Sequence, residues 1–372
     1  MPVRIALTLA LLVCCGIAAV VLSSDHSTGG DAPQLHVSGN RLLDAQGKQV
    51  ILHGVDRAGA EYQCVHGRGI FDGPSDKASI IPMQSWDINA VRVPLNEACW
   101  NGDSYVEARY AGANYQRAIE AYVRLLNSAG MVVILDLHLG DGRYVGPSAE
   151  CSSWRALCGK PMPDTSAIQF WKSVAEAFKG NDSIIFDLFN EPYPDRALGT
   201  SDAAAWRCWR SGGSACSPGI SYPAVGMQTL VDAVRSTGAN NVIMLGGISW
   251  AHDLDQWLEY EPKDPDHDLV ASWHSYNTNP CNTQACWNDQ LTPVLVRVPI
   301  IAGEIGMHGC AVNYIKQVTS WLDLRSTSYL AWAWNVASGS CSEGSDLITN
   351  YGGAPTPYGS AYRSHLQALA DH

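Results

Sequence analysis

Eight short apolar runs, at 50–55, 90–93, 132–137, 184–189, 242–245, 269–273, 299–302 and 329–334, restrict what this chain can fold into more than any other feature. Most are rich in Val, Ile and Leu with little polar alternation, the pattern of a strand buried on both faces. Amphipathic stretches lie between several of them, clearest at 114–128, 166–178, 223–236 and 312–324. In the first of these, Ala118, Ala121, Tyr122, Leu125 and Leu126 form the expected apolar stripe, and Gly130 marks its stop. Strands alternating with helices imply parallel pairing, and eight is the number that closes. The expected fold class is therefore α/β, a (β/α)8 TIM barrel. The helical pattern is weakest in the fifth and sixth repeats. Ahead of the barrel, 34–49 holds two apolar runs around Ser38-Gly39-Asn40 and a second turn at 44–47, which predicts an N-terminal β-hairpin over the barrel floor.

In a parallel barrel the chemistry sits at the carboxyl ends of the strands. The fourth run ends abruptly in Asn190-Glu191-Pro192, where Pro192 cannot donate to a ladder and biases Glu191 toward extended geometry. The seventh ends in Glu304 between two glycines, Gly303 and Gly306. Other strand ends also carry polar or aromatic groups: Asp56 and Arg57 after the first, Arg92 in the second, Asp136 and His138 in the third, and Trp250 and His252 after the fifth. His274 and Tyr276, two residues apart on an extended segment, face the same way in the sixth. A single strand-terminal glutamate is often just an exposed loop residue. Two in equivalent positions of a repeat suggest the paired carboxylates used to cleave glycosidic bonds.

With these residues in place the chain resembles glycoside hydrolase family 5, the large cellulase and mannanase family, over 34–370. Its Asn-Glu-Pro motif matches Asn190 to Pro192 and its strand-terminal nucleophile matches Glu304. The resemblance implies a retaining mechanism with Glu191 as acid/base and Glu304 as nucleophile. An acid that must stay protonated and a nucleophile that must stay ionised need different neighbours, and Arg92 is the expected partner of Glu304. Asn190 is expected to hydrogen-bond a sugar hydroxyl, and His274 and Tyr276 to stand beside the nucleophile. His138 is expected to line the subsite of the reacting sugar, with Asp136 in a buried network below. Trp334 is expected to form the floor under that sugar, with Trp332 turned into the core. One departure is Asp56, where the family often carries Asn, which touches only the expected first-loop contacts. The implied activity is hydrolysis of β-linked glycans, foremost as an endo-β-1,4-glucanase, without cofactor or metal, by a monomer. The alternatives are a β-mannanase, a β-1,3-glucanase, a glycosidase acting on short glycoconjugates, or a catalytically silent sugar-binding protein.

Thirteen Trp and fifteen Tyr against five Phe favour rings that pack on one side and meet a wet ligand on the other. Trp100, Trp154, Trp206, Trp209, Trp250 and Trp287 fall in loops or strand ends as candidate sugar platforms, with Trp206 and Trp209 foremost and packing under the loop as the alternative. A net charge of −12 argues against nucleic acid as partner. Residues 1–23 read as a signal peptide or as an uncleaved membrane anchor, 24–33 as a linker and 34–372 as the catalytic domain. Either reading of the first segment makes the protein secreted or otherwise extracytoplasmic, with any membrane contact through that segment alone. Ten cysteines lie beyond Cys14 and Cys15, an even number that fits disulfides in an exported chain. Spacing suggests Cys151–Cys158, Cys208–Cys216 and Cys281–Cys286, with Cys64–Cys99 and Cys310–Cys341 joining neighbouring loops. No cysteine pair has a second pair at zinc-ligand spacing.

Overall fold

Each apolar run becomes a strand, and the strands close on themselves. A computed structural model of the chain describes residue 1 and residues 31–146, 157, 159–200, 202–336 and 345–370. The barrel strands are β1 (His53–Asp56), β2 (Ala90–Asn96), β3 (Val132–Leu139), β4 (Ile184–Asp187), β5 (Ile243–Gly246), β6 (Leu269–Tyr276), β7 (Ile300–Gly306) and β8 (Ser328–Ala331). Each pairs with the next in chain order and β8 pairs with β1 in parallel, so the barrel has no open edge. The expected signal peptide or anchor and most of the expected linker lie outside the described residues, as do Trp154, Cys151, Cys158 and Cys341.

Side chains alternate along a strand, and that period of two sorts the interior into layers. At the amino-terminal end of the barrel, Ala90, Val132, Ile134, Ile185, Val242, Met244, Val270, Ile301 and Leu330 form one apolar cluster. The hairpin of Leu35–Ser38 and Arg41–Asp44 supplies Leu35 and Leu42 to the same cluster, closing the floor as expected. Two residues further along the strands the inward positions turn polar. Asp56, Arg92, Asp136, Asp187 and Ser272 occupy them, all fully buried. Outward positions such as Val91, Val133, Leu135, Phe186 and Trp273 belong instead to the larger core between barrel and helices.

β7 breaks the alternation once. Trp273 pairs with Ala302 but His274 pairs with Glu304, so Gly303 is an extra residue that bulges the strand and turns Glu304 inward. A Cβ at Gly303 would stand 2.7 Å from Met244 Cε and 2.8 Å from Ser272 Oγ, so only glycine fits there unaltered.

Helices Ala113–Ser128, Ser166–Phe178, Met227–Arg235 and Asn313–Asp323 follow the expected segments. In the first the buried stripe is Tyr115, Ile119, Tyr122, Val123 and Leu126, rotated from the expected one, with Ala121 exposed. The aromatic and branched residues fill the gap against the barrel better than the alanines do. As the weak periodicity implied, the fifth repeat holds only a tight turn at Ile248–Ala251 and the sixth only two short helices, Gln284–Gln290 and Thr292–Leu295. A final helix, Pro357–Ala370, packs over the closing strands, where Tyr362 Oη donates to Gly54 O of β1 at 2.6 Å and Tyr358 Oη to Ile305 O of β7 at 3.0 Å.

Disulfides join Cys64 to Cys99, Cys208 to Cys216 and Cys281 to Cys286, and Cys310 is also disulfide-bonded. No helix among the described residues is long and apolar enough to cross a membrane.

Leu42 is 4% exposed and seals the floor layer. Leu42→Ala should lower stability by about 2–5 kcal/mol, read from the urea midpoint. A loss within a few tenths of a kcal/mol would mean that the hairpin is an ornament and not a plug.

Candidate active site

Arg92 rises from β2 into the centre of the barrel with no exposed surface. Its Nη1 donates to Glu304 Oε1 at 2.9 Å and to Asp56 Oδ1 at 3.0 Å, and its Nε to Asp187 Oδ2 at 3.0 Å. Nη2 reaches Asn190 Oδ1 at 2.7 Å and Asp136 Oδ2 at 3.0 Å. Burial acts against its charge, but the surrounding carboxylates outweigh burial and hold the guanidinium protonated. Burial also pushes Asp136 up to about 7, and Asp56 and Asp187 well above the usual carboxylate range, against the pull of Arg92.

Above this layer stand the two glutamates. Glu304 has a nearly buried side chain and a second partner, Tyr276, whose hydroxyl donates to Oε2 at 2.6 Å. Both of its oxygens therefore accept hydrogen bonds, one of them from a cation. The Glu191 side chain is 27% exposed, and its Oε1 lies 2.9 Å from His274 Nδ1. Burial holds the His274 imidazole down at about 3 and that of His138 at about 4. So Glu304 faces a guanidinium, whereas Glu191 faces a neutral ring. Donor atoms of Glu191, His274 and Glu304 lie within 4.8 Å of one another. A divalent cation could use three such atoms, but the Arg92 guanidinium and the Tyr276 hydroxyl already occupy the Glu304 oxygens and oppose a second positive charge.

A hollow of about 510 Å³ opens over the pair, lined by His138, Asn190, Glu191, Trp250, Tyr276, Glu304, His308 and Trp332 among others. A second of about 220 Å³ shares His138, Asn190, Glu191 and Trp250 and continues past Lys160 and Tyr193. Glu191 therefore stands where the two halves of one cleft meet. A larger hollow, about 1430 Å³, runs by Gly39, Arg210 and Lys263 at the hairpin end and contains neither glutamate.

Arg92, His138, Asn190, Glu191, His274, Tyr276 and Glu304 are thus brought together as expected, with Asp136 in the network below, 2.7 Å from His138 Nδ1. Trp334 is not. It is 1% exposed and packs edge-on against Trp86, whereas Trp332 lines the cleft and stacks on His138 with ring centroids 5.2 Å apart and 13° between planes. The resemblance picked Trp334 of the two, but β8 ends as a regular strand at Ala331, before either tryptophan, and it is Trp332 that enters the cleft. Trp206 and Trp209 lie on a helix, Ala203–Ser211, and not in a loop; both are fully buried, packed against each other and against Trp257 and Tyr260, so packing is their role; Trp100 and Trp287 are buried too. Of the candidate platforms among the described residues only Trp250 reaches the cleft. Asp56 is a ligand of Arg92 rather than a loop contact. Asp187 went unremarked in the sequence, although its position two residues after Ile185 marks it as inward-facing. His308, which stacks on Tyr276 at 5.5 Å, carries no comparable signal.

A parallel eight-stranded barrel with two opposed glutamates at its carboxyl end, one held by Arg and Tyr, defines a glycoside hydrolase. The chain belongs to the cellulase family, glycosyl hydrolase family 5, whose model matches residues 43–338. It is 25% identical to Endoglucanase A of Butyrivibrio fibrisolvens over 85% of this chain and 62% of that protein, so it spans less than two thirds of that relative. It is 23% identical to an endoglucanase of Paenibacillus polymyxa over 73% of this chain and 70% of the relative. Among solved structures, a beta-glucanase from Saccharophagus degradans in complex with cellotetraose superposes with a TM-score of 0.68 at 17% identity, covering 92% of this chain and 95% of that one.

Because burial holds both imidazoles neutral, neither His138 nor His274 should titrate between pH 5 and pH 8. Ring nitrogen shifts followed by NMR should stay flat across that range. A midpoint near pH 6.5 for either ring would contradict its placement.

Proposed function

We propose that the protein is a retaining endo-β-1,4-glucanase. The observation that carries this is the spacing and unequal surroundings of Glu191 and Glu304. Donor atoms within 4.8 Å of each other suit direct attack on the anomeric carbon. Carboxyl groups about 6.5–9.5 Å apart would instead leave room for a water, as inversion requires. Glu304, fixed by Arg92 and Tyr276, serves as the nucleophile. Glu191, beside neutral His274 and partly open to the cleft, protonates the leaving oxygen and then activates the water that releases the glycosyl-enzyme. Asn190, its carbonyl oxygen held by Arg92, has its amide N–H groups left to donate to a sugar hydroxyl. Trp332 forms the floor under the reacting ring.

Internal cleavage follows from the cleft continuing on both sides of Glu191, which leaves room for sugars before and after the scissile bond. Since Glu191 must reach the leaving oxygen, Trp250 and Tyr193 beside it border the departing sugar. The β-1,4-glucan substrate is supported by the family and by the two endoglucanase relatives; mannan, β-1,3-glucan and short glycoconjugates are the rivals. Export is supported by the three disulfides Cys64–Cys99, Cys208–Cys216 and Cys281–Cys286. A mature protein that retains residue 1 would set the cleaved-signal reading aside in favour of the anchor.

Reducing-end release on carboxymethyl cellulose should exceed that on mannan and laminarin by at least about tenfold, and Glu304→Ala should lose it by roughly 10⁴-fold or more while remaining folded. Azide should return part of the variant's activity with inversion at the anomeric carbon. Glu191→Ala should slow aryl glycosides with good leaving groups far less than oligosaccharides, because only poor leaving groups need the proton. Equal losses on both substrates, or a fully active Glu304→Ala, would remove the assigned roles.

A further inference from the structure

Residues 249–251 follow a backbone path that L-amino acids rarely take. Ser249 has φ 55° and ψ 48°, Trp250 φ 59° and ψ 45°, and Ala251 φ 59°: three consecutive non-glycine residues in the left-handed region. Such a run persists only where its surroundings over-determine it. The surroundings here are specific. The buried Asp195 carboxylate accepts from Ser249 N at 3.1 Å through Oδ1 and from Ser249 Oγ at 2.6 Å through Oδ2. Trp250 N donates to Pro192 O at 2.9 Å, next in chain to Glu191. Asp195 Oδ2 also holds Arg196 Nε at 3.2 Å, and the Arg196 guanidinium lies over the Trp250 ring at 5.4 Å. Tyr193 stacks on the same ring at 5.0 Å. The segment after β4 therefore grips the turn after β5 through one carboxylate, and the side chain it aims is the tryptophan shared by both halves of the cleft.

We infer that Asp195 is a positioning residue for substrate: through the left-handed turn at Ser249 it fixes Trp250 on the leaving-group side of Glu191 and so governs recognition of the departing sugar. The inference rests on the glycanase reading for its substrate and on geometry alone for its mechanism. Asp195 contributes no atom to the reacting centre, so the bond-breaking step itself does not need it.

The test separates these two levels. β-Cellobiosyl fluoride has a leaving group too small to reach Trp250, whereas cellopentaose places sugars there. Asp195→Ala should reduce kcat/KM on cellopentaose by about 10–50-fold, mostly through KM, and leave the fluoride within about twofold. In a Trp250→Ala background the same substitution should cost less than about threefold, since its effect runs through that ring. Ser249→Ala, which removes only the hydroxyl bond, should show the same split at a smaller size and serves if Asp195→Ala folds poorly. Equal losses on both substrates, or full additivity with Trp250→Ala, would overturn the inference. A crystal structure of Asp195→Ala, or of Ser249→Ala if that alone folds, gives a substrate-free readout. Departure of residues 249–251 from the left-handed region, or a displaced Trp250 ring, is expected for the former and a smaller shift for the latter; an unchanged turn in Asp195→Ala would overturn it. Wild-type silence on both sugars would strike the β-1,4-glucan reading, and that structure would still decide the role of Asp195.

Discussion

One guanidinium, buried at the axis of the barrel, holds together carboxylates from four other strands or strand ends. Arg92 touches Asp56, Asp136, Asp187 and Glu304, and through Asn190 it also reaches the residue beside Glu191. Removing one member of a buried ion cluster leaves uncompensated charge and typically costs about 3–5 kcal/mol. The cost is shared here between fold and chemistry, because the charge that reconciles the aspartates to burial also orients one catalytic-site carboxylate. A conservative change to Lys would keep the charge but lose the planar fork that reaches five acceptors at once.

The two glutamates then differ by surroundings and not by type. Glu304 sits lower in the barrel, closer to the guanidinium, with a tyrosine hydroxyl on its second oxygen. Glu191 sits higher, more exposed, against an imidazole that burial keeps uncharged. Two identical side chains are placed in unlike surroundings in this way, one against a cation and one against a neutral ring. The glycine bulge in β7 is part of the same arrangement, since without the extra residue Glu304 would face outward into the helix layer.

Much of this was legible in the sequence because it depends on short-range rules. Strands buried on both faces read as apolar runs, and inward-facing polar residues follow at a spacing of two, which places His274 and Tyr276 together. Legibility stops where those rules stop. Trp332 and Trp334 lie past Ala331, where β8 ends as a regular strand, so their directions depend on how the chain leaves the barrel. The helical stripe on Ala113–Ser128 was displaced because periodicity finds an apolar face, whereas volume decides which residues fill the space beneath it. Trp206 and Trp209 illustrate the same limit: an aromatic in a polar stretch signals either a ligand or a lid on the core, and only the neighbouring Tyr260 and Trp257 distinguish them.

The floor of the barrel also fixes where the described chain enters the fold. The chain enters there, with Ala32 N bonded to Asn127 O and Leu35 N to Asp182 O before the hairpin begins. Its point of attachment to the preceding residues is therefore the pole opposite the cleft. The floor and the mouth of the barrel thus divide two tasks between opposite poles, chain entry at one and the open cleft at the other, so neither crowds the other.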